Sequence, residues 1–337
     1  MRLETILDLG LRHDLALPAR DLDGLRPHVQ VMEPQPGLAA FLERFKWMTA
    51  VLVDEDACQR IAYENVEDAR REGIDYLELR FSPWFMAEPH GLDPAAVVGA
   101  LADGVAAGAR DFGVRVQLIG ILSRHYGPDV ASKELSALLA HRDRLVALDL
   151  AGDEGRWPGA LFVDHFRRAR DAGLQVTVHA GEGAGPESVW QAIRELGATR
   201  IGHATRAAED PALLDYMGEH GIGIEANLTS NVQTSTVPDL ASHPLRRFLA
   251  HGLLATINTD DPAISGIDLP HEYTVAAPLA GLSNGQIQQA QKNALQLAFL
   301  SAGERTALAR ARLALTSSEV GCGPADIRPG RYAAPPV

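Results

Sequence analysis

The chain has 337 residues, of which 46% are hydrophobic, so it is long enough to bury the cores of two average domains or of one α/β barrel. Its formal net charge of −13 at pH 7 argues against nucleic acid or an anionic membrane as a partner, because both attract basic patches. No apolar stretch reaches the roughly twenty residues that a membrane-spanning helix needs. These properties favour a small neutral or cationic molecule as the partner.

Cys58 and Cys322 are the two cysteines, and neither belongs to a CxxC pair. The chain also shows no secretory-type start, so we expect neither a disulfide framework nor a cysteine-based zinc site. This pattern predicts a reducing, cytoplasmic compartment.

The first part of the chain is predicted to be helical. Apolar residues at helical spacing predict helices over residues 4–15 and 53–72, on either side of a proline-containing segment at 17–36. Nothing ahead of Glu4 has the pattern of a strand.

Seven later segments are short aliphatic runs that end in polar or turn residues, which predicts buried strands. Amphipathic segments separate them, and two of these start with an Asp-Pro pair, at Asp93 and Asp210, that suits a helix start. The alternation predicts an α/β fold of the TIM-type (β/α)8 barrel class. The predicted strands are 76–83, 116–124, 146–152, 175–182, 200–205, 221–231 and 254–262, and the helices between them include 94–112, 132–141, 161–172, 186–196 and 211–220.

The last part of the chain is predicted to form helices over residues 283–302 and 302–315, followed by an irregular tail from Gly321. No repeat or linker divides the sequence, so we predict one metal-dependent hydrolase barrel domain over residues 1–337. A closed barrel of this class has eight strands, and the sequence supplies seven. We therefore expect the first strand to be missing from this chain, with the barrel open or plugged beside the strand at 76–83.

Polar side chains stand where several predicted strands end, which is the face where parallel barrels build active sites. His179 can point into the barrel mouth, and the Ala-Gly turn after it can bring Glu182 back over it. The pair offers an imidazole for a metal and a carboxylate for proton transfer. The alternative is a histidine bonded to a neighbour and an acid at the start of the next helix.

Three further strand ends carry groups that suit hydrolysis. Asp260 and Asp261 close the last strand with two carboxylates, or form a simple Asp-Pro turn. His203 could orient or deprotonate a water molecule, although a single strand-end histidine is commonly structural. Gly152 allows close approach of the backbone to a ligand, or serves turn geometry alone. Their joint occurrence on one face favours a site.

These residues together resemble the adenosine deaminase family, specifically its bacterial branch, and the resemblance covers nearly the whole chain. Ala204 stands where that family commonly has glycine, and Asn227 where a cysteine or small residue is usual. The motifs that carry the resemblance are His179-Ala-Gly-Glu182, Ile201-Gly-His203, Leu228-Thr-Ser-Asn231, Thr234-Ser-Thr236, Asn258-Thr-Asp-Asp-Pro262, Leu77-Glu-Leu-Arg-Phe-Ser-Pro83, Leu148-Asp-Leu-Ala-Gly-Asp-Glu154 and His271-Glu-Tyr273.

The resemblance implies a zinc-dependent barrel that hydrolyses adenosine and 2′-deoxyadenosine to inosine, 2′-deoxyinosine and ammonia. It implies that His179 and Asp260 are zinc ligands and that Glu182 exchanges a proton with purine N1. It further implies that His203 orients or deprotonates the attacking water. The remaining implied contacts are to the substrate, from the Gly152 backbone N–H to N3 and from Asp261 to N7.

The resemblance also raises an expectation about the metal. The family carries a His-x-His motif on its first strand, whereas no His-x-His occurs in this chain and Met1 to Glu4 resembles the stretch after that motif. With His179 and Asp260 alone, we expect weak zinc binding and little activity. Three hypotheses follow: a deaminase whose gene starts upstream of Met1, a catalytically impaired purine-binding relative, or a deaminase of adenine or another 6-aminopurine.

Overall fold

The computed structural model describes residues 1–319, so the predicted irregular tail from Gly321, with Cys322, lies outside the described residues. The described chain contains two compact units, the first being Met1–Phe299. The second begins at Leu300 and contains the helix Ala302–Glu319. The single domain over residues 1–337 stays a prediction.

In the described residues, seven strands form one parallel sheet in which each strand pairs with the next along the chain. The predicted α/β barrel class is thus confirmed, with all the strand ends on one face. Within residues 1–319, no ladder joins the last strand to the first. The strands are β1 (Tyr76–Phe81), β2 (Arg115–Ser123), β3 (Leu145–Ala151), β4 (Gln175–Ala180), β5 (Arg200–His203), β6 (Gly223–Ala226) and β7 (Ala255–Ile257).

Helices separate the strands, as the amphipathic segments predicted. The two predicted N-caps are confirmed, since Asp93 accepts a hydrogen bond from the Ala95 N–H at 3.0 Å and Asp210 accepts one from Ala212 at 3.0 Å. Within residues 1–299 the longer helices are Leu3–Arg12, Leu22–Val29, Glu55–Arg71, Pro94–Phe112, Gly127–Ala140, Val163–Asp171, Pro211–His220 and Asn284–Leu297, and shorter ones include Leu38–Leu42, Pro83–Ala87, Pro186–Gln191, Leu228–Gln233 and Leu245–Ala250.

Several predicted strands extended beyond the observed strand ends, and two of them did so by five residues. The prediction over residues 221–231 was wrong beyond Ala226, because β7 ends at Ile257 and offers no further pairing, and the chain turns into the helix Leu228–Gln233. The prediction over 254–262 was wrong beyond Ile257, because Asp260 has a φ of 57°, which extended backbone does not adopt.

The inside of the sheet carries paired charges. Arg80 on β1 contacts both Asp149 on β3, at 2.9 Å, and Glu225 on β6. The Arg200 guanidinium lies 2.7 Å from Glu225 and 2.5 Å from Glu78. Removing one partner would leave a buried charge uncompensated, so these ion pairs make the interior intolerant of single substitutions.

No single helix within residues 1–319 is long and apolar enough to cross a membrane. The helical segments Pro83–His90 and Pro94–Phe112 reach the necessary length and apolar composition only when they are taken together, and they are bent by 115° relative to each other.

Glu134 ties the ends of β1 and β2 together. Its carboxylate accepts a hydrogen bond from the Ser123 N–H at 2.7 Å and one from the Ser82 hydroxyl at 2.9 Å. Burial raises the pKa of Glu134 from 4.5 to about 7, with the hydrogen bonds acting in the opposite direction. The folded chain therefore holds this proton more tightly than the unfolded chain does.

We expect Gly104→Ala to destabilise the protein. An added Cβ would lie 2.2 Å from the Gln59 carbonyl oxygen, where Pro94–Phe112 packs against Glu55–Arg71. Such overpacking costs about 1–3 kcal/mol and should lower the thermal midpoint. The control is Gly285→Ala, whose Cβ would have only Ser283 Oγ nearby, at 4.0 Å. Equal midpoints for the two variants would contradict this account of the helix contact.

A second prediction concerns pH. Because folding raises the pKa of Glu134 to about 7, its contribution to stability is present below the unfolded pKa of 4.5 and is lost as the pH rises through about 7. Glu134→Gln lacks this proton equilibrium, so its thermal midpoint should rise relative to that of the native chain between pH 4.5 and pH 7. Exposed Glu195→Gln serves as the control. A difference independent of pH would show the prediction to be wrong.

Candidate active site

The ends of β4, β5 and β7 bring three of the predicted residues together. His203, the last residue of β5, has its Nε2 atom 3.5 Å from a Glu182 carboxylate oxygen and 4.0 Å from Asp260 Oδ2. Glu182 follows β4 through a turn at Gly181, whose φ is 72°. Convergence of these side chains on one rim is what the sequence predicted.

His179 lies beside His203, with ring centroids 5.1 Å apart. Its Nδ1 atom lies 2.9 Å from Asp149, a fully buried carboxylate that Arg80 also contacts. Burial alone would lower the pKa of His179, but the charge of Asp149 and its hydrogen bond raise it to about 9. Because Asp149 engages Nδ1, the Nε2 atom of His179 is left for a ligand.

Asp149 belongs to the motif at residues 148–154, but no role was predicted for it from the sequence. It stands between Leu148 and Leu150 in an otherwise apolar strand, and a charge in such a run is the signal that could have identified it.

Three residues at the site have backbone conformations that side chains other than glycine rarely adopt. His203 has a φ of 64°, Ala204 of 52° and Asp260 of 57°. Strained conformations of this kind persist where the surrounding structure enforces them, and they concentrate at functional sites. The left-handed φ of Ala204 also explains why glycine suits that position.

Glu154 holds the loop that carries Glu182. Its buried carboxylate accepts four backbone hydrogen bonds, from the N–H groups of Gly181 (2.7 Å), Glu182 (3.0 Å), Gly183 (2.7 Å) and Ala184 (3.1 Å). Glu154 closes the motif at residues 148–154, but no role was predicted for it from the sequence. A buried acid bonded to consecutive amides restricts the loop and therefore the position of Glu182.

Glu182 is itself buried beside a cavity of about 270 Å³. Burial raises the pKa of its carboxyl group, partly offset by His203. The Thr234 hydroxyl lies 3.4 Å from its Oε1 atom. The cavity is lined by the apolar residues Leu38 and Leu42 and by polar residues that include Asp153, Thr234, Ser235 and Thr236. A lining that combines apolar surface with polar groups suits a flat, nitrogen-rich molecule.

Gly152 and Asp261 follow β3 and β7 on the same face. Gly152 has a φ of 111°, and a Cβ there would lie 2.6 Å from the Nδ1 atom of His125, so only glycine fits. Burial, together with the neighbouring Asp260, raises the pKa of Asp261.

Among the side chains that the structure describes, one group could hold a metal ion. His179, His203 and Asp260 each offer a ligand atom, and these three atoms all lie within 4.8 Å of one another. The set includes both predicted ligands, His179 and Asp260, and adds His203. Imidazole nitrogens and a carboxylate oxygen are donors that zinc accepts.

The chain is similar to adenosine deaminases along most of its length. The family model described as adenosine deaminase matches residues 1–312. The adenosine deaminase of Serratia proteamaculans is 60% identical over 308 residues, which cover 91% of this chain and 93% of that protein. The adenosine deaminase of Klebsiella pneumoniae is 62% identical over 308 residues, covering 91% and 92%.

Solved structures show the same fold. Adenine deaminase from Arthrobacter aurescens superposes with a TM-score of 0.85 at 27% identity, covering 95% of each chain. An amidohydrolase from Burkholderia ambifaria with bound zinc gives a TM-score of 0.84 at 25% identity, covering 96% of this chain and 90% of that one.

We expect Glu154→Gln to loosen the Glu182 loop. An amide group has one accepting oxygen, so part of the four backbone donors would lose their partner, at a cost of about 1–3 kcal/mol. Hydrogen–deuterium exchange of the amides of residues 181–184 should become faster. Asp153→Asn is the matched control, since Asp153 accepts from Arg156 and not from the loop. Unchanged exchange in Glu154→Gln would contradict the assigned role.

Proposed function

The chain belongs to the adenosine deaminase family, and from this premise we propose that its site converts adenosine and 2′-deoxyadenosine to inosine and 2′-deoxyinosine by hydrolysis, releasing ammonia. The observation that carries the proposal is the convergence of Glu182, His203 and Asp260 at one rim. We further propose that the enzyme acts in the cytoplasm, in purine salvage.

Zinc is part of the proposal, and His179 and Asp260 would hold it. An imidazole and a carboxylate are zinc donors, and the Asp149 contact to His179 Nδ1 is the kind of support that metal-ligating histidines have. When bound, the metal would supply Lewis acidity that makes a water molecule easier to deprotonate at neutral pH. The zinc-bound structure of the Burkholderia amidohydrolase supports this choice of metal.

The protein groups would act on the purine ring and on the water molecule. Glu182, whose pKa burial raises, would donate its proton to N1 and so make C6 more electrophilic. His203 would orient the water that attacks C6. The attacking water would give up both of its protons, one to the leaving amine and one to the Glu182 carboxylate, so that ammonia departs, the water oxygen stays at C6 as a carbonyl and Glu182 is restored.

Two further residues would position the base. The backbone N–H of Gly152 would donate to N3, and the absence of a side chain permits this close approach. Asp261 would engage N7. These contacts recognise the purine and leave the sugar to other groups.

The similarity favours a nucleoside over the free base as the substrate. The adenosine deaminases are 60% and 62% identical to this chain, whereas the adenine deaminase structure is 27% identical. A panel of adenosine, 2′-deoxyadenosine and adenine separates the two hypotheses, because only a nucleoside deaminase should process the first two much faster than the third.

His179 and Asp260 alone should hold zinc weakly, so we expect the protein to form inosine from adenosine, measured by chromatography, only while zinc is supplied in excess. Glu182→Gln should lower kcat by about 10²–10⁴-fold, the range that a positioned proton donor contributes. The matched control is Glu187→Gln, since Glu187 is exposed and lies close to the same loop. It should retain activity.

Metal removal completes this test. Chelation should abolish inosine formation and added zinc should restore it, while elemental analysis follows the bound metal. Absence of inosine from zinc-loaded protein, or full activity in Glu182→Gln, would overturn the proposed function.

A further inference from the structure

A buried chain of hydrogen bonds runs from the backbone of Leu245 to the imidazole of His203. The Leu245 N–H donates to His243 Nδ1 at 3.1 Å, and His243 Nε2 lies 3.1 Å from Asn231 Oδ1. Asn231 Nδ2 lies 2.9 Å from His203 Nδ1. His203, Asn231 and His243 are 1%, 0% and 3% exposed, so water does not compete for these bonds.

The direction of each bond follows from its starting point. A backbone N–H can only donate, so Nδ1 of His243 must accept and carries no proton. Burial lowers the pKa of His243 to about 3, which keeps the ring neutral, so its proton lies on Nε2. That proton is donated to Asn231 Oδ1.

The orientation of the Asn231 amide is thereby set. With Oδ1 occupied by His243, its Nδ2 group faces His203 and donates to Nδ1. Asn227 Nδ2 lies 3.2 Å from the same nitrogen and adds a second donor. A ring nitrogen that accepts from amide groups carries no proton of its own, so neutral His203 is protonated on Nε2.

We propose that Asn231 and His243 are positioning residues that hold His203 in the Nε2-protonated tautomer, an inference that rests on the proposed function for its catalytic meaning. The carboxylates of Glu182 and Asp260, which face Nε2, favour the same tautomer. The bonds that make Nδ1 an acceptor originate at the Leu245 backbone amide, on the opposite side of the imidazole ring.

This tautomer decides between two roles for His203. Its Nε2 atom points toward Glu182 and Asp260, and a nitrogen that bears a proton there has no lone pair for a metal. His203 is therefore a hydrogen-bond donor to the attacking water, and it is not a zinc ligand although it lies within ligand distance of His179 and Asp260. Asn231 and His243 act through His203.

The direct test is nitrogen-15 NMR of histidine-labelled protein, in which protonated and unprotonated ring nitrogens resonate far apart. His203→Gln identifies the His203 signals. In the zinc-loaded protein and after chelation, we expect Nε2 of His203 to carry the proton and Nδ1 to lack it. A proton on Nδ1, or an Nε2 that loses its proton when zinc binds, would overturn the inference.

Substitutions test the origin of the tautomer. Asn231→Asp replaces the donor with a carboxylate that accepts from Nδ1, so the Nδ1 signal should become that of a protonated nitrogen. An unprotonated Nδ1 in folded Asn231→Asp would contradict the role of Asn231. Circular dichroism establishes folding for each variant.

His243→Leu removes the anchor of the Asn231 amide, and His243→Gln keeps an amide that can donate to it. We expect kcat to fall about 10-fold or more in the leucine variant, as for other groups that orient a catalytic side chain, with KM little changed. The glutamine variant should recover most of kcat. Equal kcat in His243→Leu and the native chain would refute the role of His243.

The two proposals fail separately. The expected tautomer in a chain that forms no inosine would remove the deaminase function and leave the hydrogen-bond chain standing. The opposite tautomer in an enzyme that forms inosine would remove the roles of Asn231 and His243 and leave the deaminase function standing.

Discussion

The structure depends on one constraint, the parallel pairing of consecutive strands. Because every strand runs in the same direction and pairs with the next, β3, β4, β5 and β7 deliver their last residues to one rim. Side chains far apart in sequence, such as Glu182 and Asp260, therefore meet without any long loop. The chemistry of the site is a consequence of where strands end.

The charges inside the sheet connect its interior to that rim. Asp149 is shared between Arg80, on the edge strand β1, and His179, near the end of β4. Buried ion pairs contribute little net stability, since desolvation offsets much of their attraction. Their value here is orientation, because a bonded Asp149 leaves His179 with one free ring nitrogen.

The loops after the strands are held by specific side chains. Glu154 binds four consecutive amides beneath Glu182, and the His243 and Asn231 bonds hold His203 from behind. His203 has a left-handed backbone conformation, which persists where the surrounding structure enforces it in this way. The active groups thus lie on a rigid rim, which favours a fixed orientation of a small substrate.

The sequence by itself determined the barrel class, the start of most strands and the identity of the rim residues, because these follow from local patterns of apolar runs and turn residues. It could not determine the contacts of Asp149, Glu154, Asn231 and His243, since each partner lies on a different element and no local pattern marks the pairing. Nor could it show that the segment after Ala226 becomes a helix. β6 stops at Ala226 because its neighbour β7 stops at Ile257, and that pairing cannot be seen in the local sequence. Tertiary structure decided these features through packing and hydrogen bonds between distant segments.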